Sequence, residues 1–374
     1  MYEGTRVRIT NWMTVMNSAW QQWLQSAGAR IEDGVARNFG DPRTELEAAR
    51  AGGVLADLSH LGVLDFAGED SEAFLQGQLS CDVRSIGASS SSYGSYCTPK
   101  GRMLADFLIW RLLPGLLPGL SGGFRMVLSR SIVATVHKRL KMYVLRSKVQ
   151  VSDASDSLVL LGVSGGAATG ALDPVLAGLS MHEARHFGEG GTAISLPGGR
   201  FLLAVPAQGA SKLWASLAAT LRPVGTPCWE WLDIRSGVPL ITARTQEQFL
   251  PQMTNLDLLG GVSFKKGCFT GQEVVARTQH LGKLKRRMFL AHVDEPVDDV
   301  RTPPAPGDEI FSDDIPGQAS GMVVSAQPAP GAGHDLLAVV HVSSSESSTV
   351  HVRSTDGPVL RFIDLPYTVT STIT

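Results

Sequence analysis

Apolar and polar positions alternate along this chain in two periods, and the switches between them outline its elements. Ser18 caps a short helix that sets Trp20, Trp23, Leu24 and Ala27 on one face. Asp41-Pro42 opens a second helix, which Gly52-Gly53 closes. Val54–Phe66 mixes apolar and polar residues as strands do, and Gly68-Glu69-Asp70 starts a helix through Phe74 and Leu75. Tyr93–Arg111 and Phe124–Ser129 read as strands joined by the Pro/Gly-rich insert Pro114–Gly123. Ser131 is expected to cap a helix with Ile132, Val136 and Leu140 inward and Lys138, Arg139 and Lys141 on its solvated face.

The pattern continues with a short strand at Lys148–Val151 and a buried strand at Leu158–Val163, then an Ala/Gly-rich helix. A hairpin of Thr192–Leu196 and Phe201–Val205 turns at Pro197-Gly198-Gly199, and a helix is expected over Ser211–Leu221. Pro223–Pro227 reads as a lobe boundary, and the helix Trp229–Ser236 after it ends at Gly237. Beyond Arg287 the elements become short strands: Met288–Val293, Gly321–Val324, Leu337–Val342, Thr349–Val352 and Leu360–Asp364. They predict a small β-barrel or sandwich.

At 374 residues the chain exceeds one ordinary core, so two or three domains are expected. With 43% apolar and 18% charged residues and a net charge of −2, the composition is that of a soluble protein with no global basic field for nucleic acid. The run after Arg6 and Arg8 is broken by Thr10, Asn11 and Thr14, a poor signal peptide. Leu104–Leu120, the greasiest stretch, contains Asp106, Arg111, Pro114 and Pro118 and is no membrane span. Cys81, Cys97, Cys228 and Cys268 show no Cys-x-x-Cys spacing, which predicts no metal or cluster site and suits a reducing compartment. The expectation is a cytoplasmic monomer.

Phe264–Arg287 carries the densest chemistry. Thr270 and Glu273 have the spacing of a capping box that opens a helix through Val274, Val275 and Ala276 to about Gly282. Cys268 lies just before it, with Lys265 and Lys266 adding positive charge. Such a setting favours a thiolate; a small buried hydrophobe is the other local reading. Glu273 and Arg277 are spaced to pair on one helical face. Elsewhere, His182-Glu183-Ala184-Arg185-His186 fits a helical zinc motif or an edge strand, with no third ligand in evidence. Lys283, Lys285, Arg286 and Arg287 read as a solvated basic face or a hold for an acidic tail or partner.

The run Lys266-Gly267-Cys268-Phe269-Thr270-Gly271-Gln272-Glu273, with Arg277 after it, resembles the signature of the YgfZ family. These are folate-binding proteins related to the T-protein (aminomethyltransferase) of the glycine cleavage system. Phe249-Leu250-Pro251-Gln252, Thr254-Asn255-Leu256, Phe74-Leu75-Gln76-Gly77-Gln78 and Lys100-Gly101-Arg102 look like the family too. The resemblance implies an α+β, T-protein-like fold: two α+β lobes and a C-terminal β-barrel around a central folate pocket. The boundaries expected are a loose extension over 1–16 and a folate-binding region over 17–287. That region divides into lobes of about 40–157 with 225–287, and 158–224; the barrel takes 288–374.

It further implies tetrahydrofolate or a derivative as cofactor, with Asp106, Trp229 and Arg235 at its site. T-proteins and many YgfZ-like proteins have a pterin-recognising glutamate at the position resembling Arg235, and a second aromatic is found at the position resembling Leu61. A guanidinium accepts no hydrogen bond and cannot make a carboxylate's contacts. Cys268 and Lys266 are the catalytic expectation, with Gly267, Phe269, Gly271, Gln272, Glu273 and Arg277 shaping the loop. The implied function is a factor for assembly or repair of iron–sulfur clusters in client enzymes such as a tRNA methylthiotransferase, supporting tRNA modification indirectly. An aminomethyltransferase or demethylase, or a scaffold that only docks a client, are the alternatives.

Overall fold

The computed structural model describes residues 18–115, 122–165, 172–280, 284–294 and 302–369. The 1–16 extension lies outside them, as do parts of the Pro114–Gly123 insert and of the Ala/Gly-rich segment. Two sheets dominate. The first is antiparallel, in the order Ser91–Cys97, Met103–Leu112, Gly123–Ser129, Leu61–Ala67, Gln150–Asp153. The second runs Ala184–Phe187, Gly191–Leu196, Arg200–Pro206, Leu158–Ser164, Val54–Asp57, Arg222–Val224.

The period of two decides how they stack. In the first sheet Phe107, Ile109 and Met126 pack outward on the helices Ser71–Gln78 and Val133–Val144. Leu108, Trp110 and Val127 point the other way, onto Leu158, Leu160 and Leu202 of the second sheet. That sheet in turn sends Val159, Leu161 and Leu203 outward to Trp20, Leu24 and Trp214 on the helices Ser18–Ser26 and Ala207–Leu217. The order is helix, sheet, sheet, helix, with the shared core in the middle.

Several local expectations need correction. Pro223 is not in a boundary: Arg222–Val224 pairs in parallel with Val54–Ala56 as the edge strand of the second sheet. An edge tolerates a residue without an N–H. Val54–Asp57 therefore serves the second sheet, although its neighbours in sequence build the first. Ser131 does not cap the next helix. It sits in a 3₁₀ turn, where its Oγ lies 2.9 Å from Ser129 Oγ and accepts from the Ala243 N–H at 3.2 Å.

The C-terminal strands form an antiparallel sheet in the order Val350–Val352, Glu309–Ser312, Gly321–Pro328, His334–His341, Arg286–Val293, Arg361–Ile363. The Val352 N–H bonds to Pro358 O at 2.9 Å and the Leu360 N–H to Val350 O at 2.8 Å. These bonds join the first strand to the segment entering the last and close a small barrel. It docks on the helix Thr226–Arg235, where Trp231 Nε1 donates to Asp335 at 2.8 Å. Among the described residues no helix is long and apolar enough to cross a membrane.

Candidate functional site

The signature loop is tied down from below. Lys266 is buried, and its ammonium donates to Leu79 O at 2.6 Å and Cys81 O at 2.8 Å, 5.3 Å from the Phe269 ring centroid. Burial lowers its pKa to about 8. Leu79 is the C-cap of Ser71–Gln78, so a cation sits at a helix C-terminus. The lysine fixes the loop to the first lobe; its charge is engaged there and not with Cys268, contrary to the sequence expectation. Phe269 is buried with Val262 and Val275. Gly271 adopts φ +86°, and a Cβ there would come within 2.4 Å of Thr98 O. Only glycine lets the loop rest on the turn that holds Lys100-Gly101-Arg102.

Cys268 is exposed on this anchored loop, four residues before the helix Gln272–His280. Gln272, the first residue of that helix, reaches back to the loop, and its Oε1 accepts from the Phe269 N–H at 3.2 Å. Glu273 is pulled away instead, pairing with Arg277 at 2.9 Å in the open. The capping box expected from Thr270 and Glu273 is therefore not the one formed. Gln272→Ala is expected to cost about 0.5–1.5 kcal/mol of local stability and to raise hydrogen exchange at Phe269, while Thr270→Ala leaves both unchanged. Equal effects of the two would restore the threonine cap.

Upstream, Gln252 Nε2 donates to Val275 O at 2.7 Å and Asn255 Nδ2 to Met288 O at 2.8 Å. The Phe249–Leu256 motif thus braces the signature helix against the first barrel strand. Arg287 completes the brace. It is 3% exposed, bonds Asp257 through both NH groups at 2.7 and 3.0 Å, and donates to Gln252 O at 2.8 Å.

Between the sheets lies a cavity of about 70 Å³, walled by Leu61, Leu108, Val127, Leu196, Leu202 and Leu256 and reached by Tyr93, Asp106, Trp229 and Asp233. Asp106 Oδ1 accepts from the Ile241 N–H at 2.8 Å, and burial raises its carboxyl to about 7. Asp233 is held by Arg200 at 2.6 Å; burial raises its pKa too, against the pull of that guanidinium. Trp229 lies against Gly162, where a Cβ would come within 2.4 Å of its ring, and the Arg200 guanidinium sits 4.9 Å from the ring centroid. With 1% exposure Trp229 is a core residue whose ring forms part of the wall.

Comparison with known proteins places this architecture. The chain is 35% identical to the tRNA-modifying protein YgfZ of Klebsiella pneumoniae, over 66% of its own length and 74% of the relative's. The protein of the same name from Cronobacter sakazakii is 34% identical over 69% and 78%. This chain belongs to the YgfZ family. Residues 12–192 also match the GCVT N-terminal domain model. The glycine cleavage system aminomethyltransferase T of Bartonella henselae superimposes with a TM-score of 0.73 at 18% identity, over 92% of this chain and 95% of that one. That likeness shows the fold: the α+β, T-protein-like architecture holds.

Against the YgfZ pattern, the structure moves one expected site residue. Arg235 does not face the cavity; it lies 3.6 Å from Asp335 of the barrel. The acid that faces the cavity is Asp233, which sequence reasoning passed over. The signal was there: Asp233 is four residues after Trp229 and shares its helical face, whereas Arg235 is six after and does not.

Of the basic cluster, Lys283 lies outside the described residues, Lys285 is exposed and Arg287 is buried, so the solvated-face reading fails for Arg287. His182 and His186 share no helix. His182 is in a turn at φ 66°, edge-on to Tyr93, and His186 is in the edge strand Ala184–Phe187, bonded to Thr192. The edge-strand reading is the one found.

The four thiols separate sharply. Burial pushes those of Cys81, Cys97 and Cys228 up to about 12, and Cys268 alone of the four is exposed. Pulsed alkylation of the folded protein at neutral pH is expected to label Cys268 at least a hundredfold faster than the others, because the thiolate is the nucleophile. Faster labelling of any buried thiol would contradict this order.

Proposed function

We propose that this protein is a cytoplasmic, folate-binding accessory factor that supports assembly or repair of iron–sulfur clusters in client enzymes, and through them tRNA modification. The observation that carries the reading is a division of labour. One exposed thiol stands on a loop braced from three sides, while a separate pair of carboxyl groups faces a half-open cavity between the lobes. The likeness to the tRNA-modifying protein YgfZ and the GCVT domain match support the tRNA-modification part.

The cavity's donor set suits a pterin. Its N–H groups need acceptors, and Asp233 and Asp106 provide them in apolar walls. Asp233 would take the part that the family gives to a glutamate at Arg235. Asp106, poised near 7, is suited to exchange a proton with a ligand nitrogen at neutral pH. Tetrahydrofolate, when bound, supplies a carrier for one-carbon units. At about 70 Å³ the cavity must widen to admit the ring. Cys268 is the working thiol, and Lys266, Phe269 and Gln272 are positioning residues.

Two measurements test this. Calorimetry should show tetrahydrofolate binding that Asp233→Asn weakens; no binding at millimolar ligand rejects the pocket. In a strain lacking the factor, wild type should restore client activity and Cys268→Ser should not. Equal rescue would favour the scaffold reading, in which the thiol has no part.

A further inference from the structure

The helix Val133–Val144 is buried on one side through Val133, Val136 and Leu140. Its C-terminal end is not. Met142 is 60% exposed, Tyr143 44% and Leu145 87%. Half of the large hydrophobics exposed among the described residues thus fall within four consecutive positions. Single exposed apolar residues need no explanation, but a cluster does. Leu145 also sits at φ 44°, in the left-handed region that a leucine avoids. Around this patch Lys138, Lys141 and Arg146 are exposed and form no ion pair among the described residues. Lys148 pairs with Glu69 at 2.7 Å. The sequence from His137 to Lys148 contains five cations and no acid.

We propose that this helix end and the turn after it are a docking surface for a protein partner that presents acidic side chains around an apolar centre. Met, Tyr and Arg are residue types enriched where proteins meet, and an apolar core with a charged rim is the usual layout. The unpaired lysines and arginine ask for carboxylates opposite them. A membrane fits less well, because an interfacial helix lays its apolar stripe into lipid, and here that stripe is inside the protein. A nucleic acid would use the cations for its phosphates and leave Met142 and Leu145 without a role.

The surface also connects to the signature loop. Arg139 of the same helix lies beside the Tyr96 side chain, Tyr96 is bridged to Leu79, and Leu79 O receives the Lys266 ammonium, two residues from Cys268. A docked partner would therefore sit on the lobe that anchors the thiol loop. This link to Cys268 rests on the function proposed above; the surface itself does not.

The test titrates the full chain with a synthetic helical peptide of glutamates carrying leucines at helical spacing. Phosphatidylglycerol vesicles and a single-stranded RNA oligonucleotide serve as the other two probes. Wild type is expected to bind the peptide, more weakly as salt rises. Met142→Ser/Leu145→Ser and the triple variant Lys138→Glu/Lys141→Glu/Arg146→Glu should each lose at least tenfold in affinity, with unchanged melts and unchanged Cys268 alkylation. Peptide affinity equal in wild type and both variants overturns the proposal. So does failure of the peptide to bind wild type at millimolar concentration, or a preference for RNA or vesicles that the variants abolish. A wild type that binds the peptide but not tetrahydrofolate would overturn the folate reading and leave this surface standing.

Discussion

Arg287→Ala is expected to destabilise the protein by about 3–5 kcal/mol, the range for removing one partner of a buried ion pair. The substitution leaves Asp257, itself only 6% exposed, with a charge and no counterion. It also removes one of the two donors to Gln252 O, whose residue holds the signature helix through Val275. The loss should thus appear as a lower denaturant midpoint and as faster hydrogen exchange at the start of Gln272–His280. Replacing both partners, Arg287→Met with Asp257→Leu, should recover most of the stability, because no buried charge is left uncompensated. A single substitution within 1 kcal/mol of wild type would show that the pair is hydrated and the brace weak.

Asp106→Asn is expected to change how stability depends on pH. The carboxyl is raised from 3.8 to about 7 in the fold, chiefly by burial. The folded state therefore holds this proton more tightly than the unfolded chain. The contribution is fully present below about pH 4 and is lost as pH rises through 7. At one pKa unit to 1.36 kcal/mol, the loss is on the order of 2–4 kcal/mol. Asparagine keeps an oxygen for the Ile241 N–H and carries no charge, so the variant should gain on wild type steadily between pH 4 and 8. The nearby Asp233 adds to the upward shift of Asp106, so Asp106→Asn relieves that repulsion as well and acts in the same direction. Parallel stability curves would mean that Asp106 is ionised at little cost, and its role in proton exchange would fall with that result.

The parts of this fold that were legible in sequence were those set by local physics. Asp41 does cap Pro42–Ala51, accepting from the Thr44 N–H at 2.8 Å, and Gly52 ends that helix at φ 88°. The closing of Thr226–Arg235 by Gly237 at φ 67° was legible for the same reason. What was not legible depended on partners far away in sequence. Nothing local in Arg222-Pro223-Val224 announces a strand, because its hydrogen bonds come from Val54–Ala56. Lys266 looked like a companion of Cys268 because the two are neighbours in sequence; its carbonyl partners, Leu79 and Cys81, lie about 185 residues away. The signature motif named the right loop, and the long-range contacts decided which of its residues anchor it and which one faces solvent.

The placement of Val54–Asp57 also bears on synthesis. This strand leaves the ribosome early, yet its antiparallel neighbour Leu158–Ser164 follows about 100 residues later, and Arg222–Val224 later still. At roughly 5–20 residues per second, the strand waits on the order of 5–20 s with both edges unpaired, while the first sheet is completed from the intervening chain. A nascent chain stalled before residue 158 should therefore carry all strands of the first sheet and an apolar Val-Leu-Ala strand open to a chaperone.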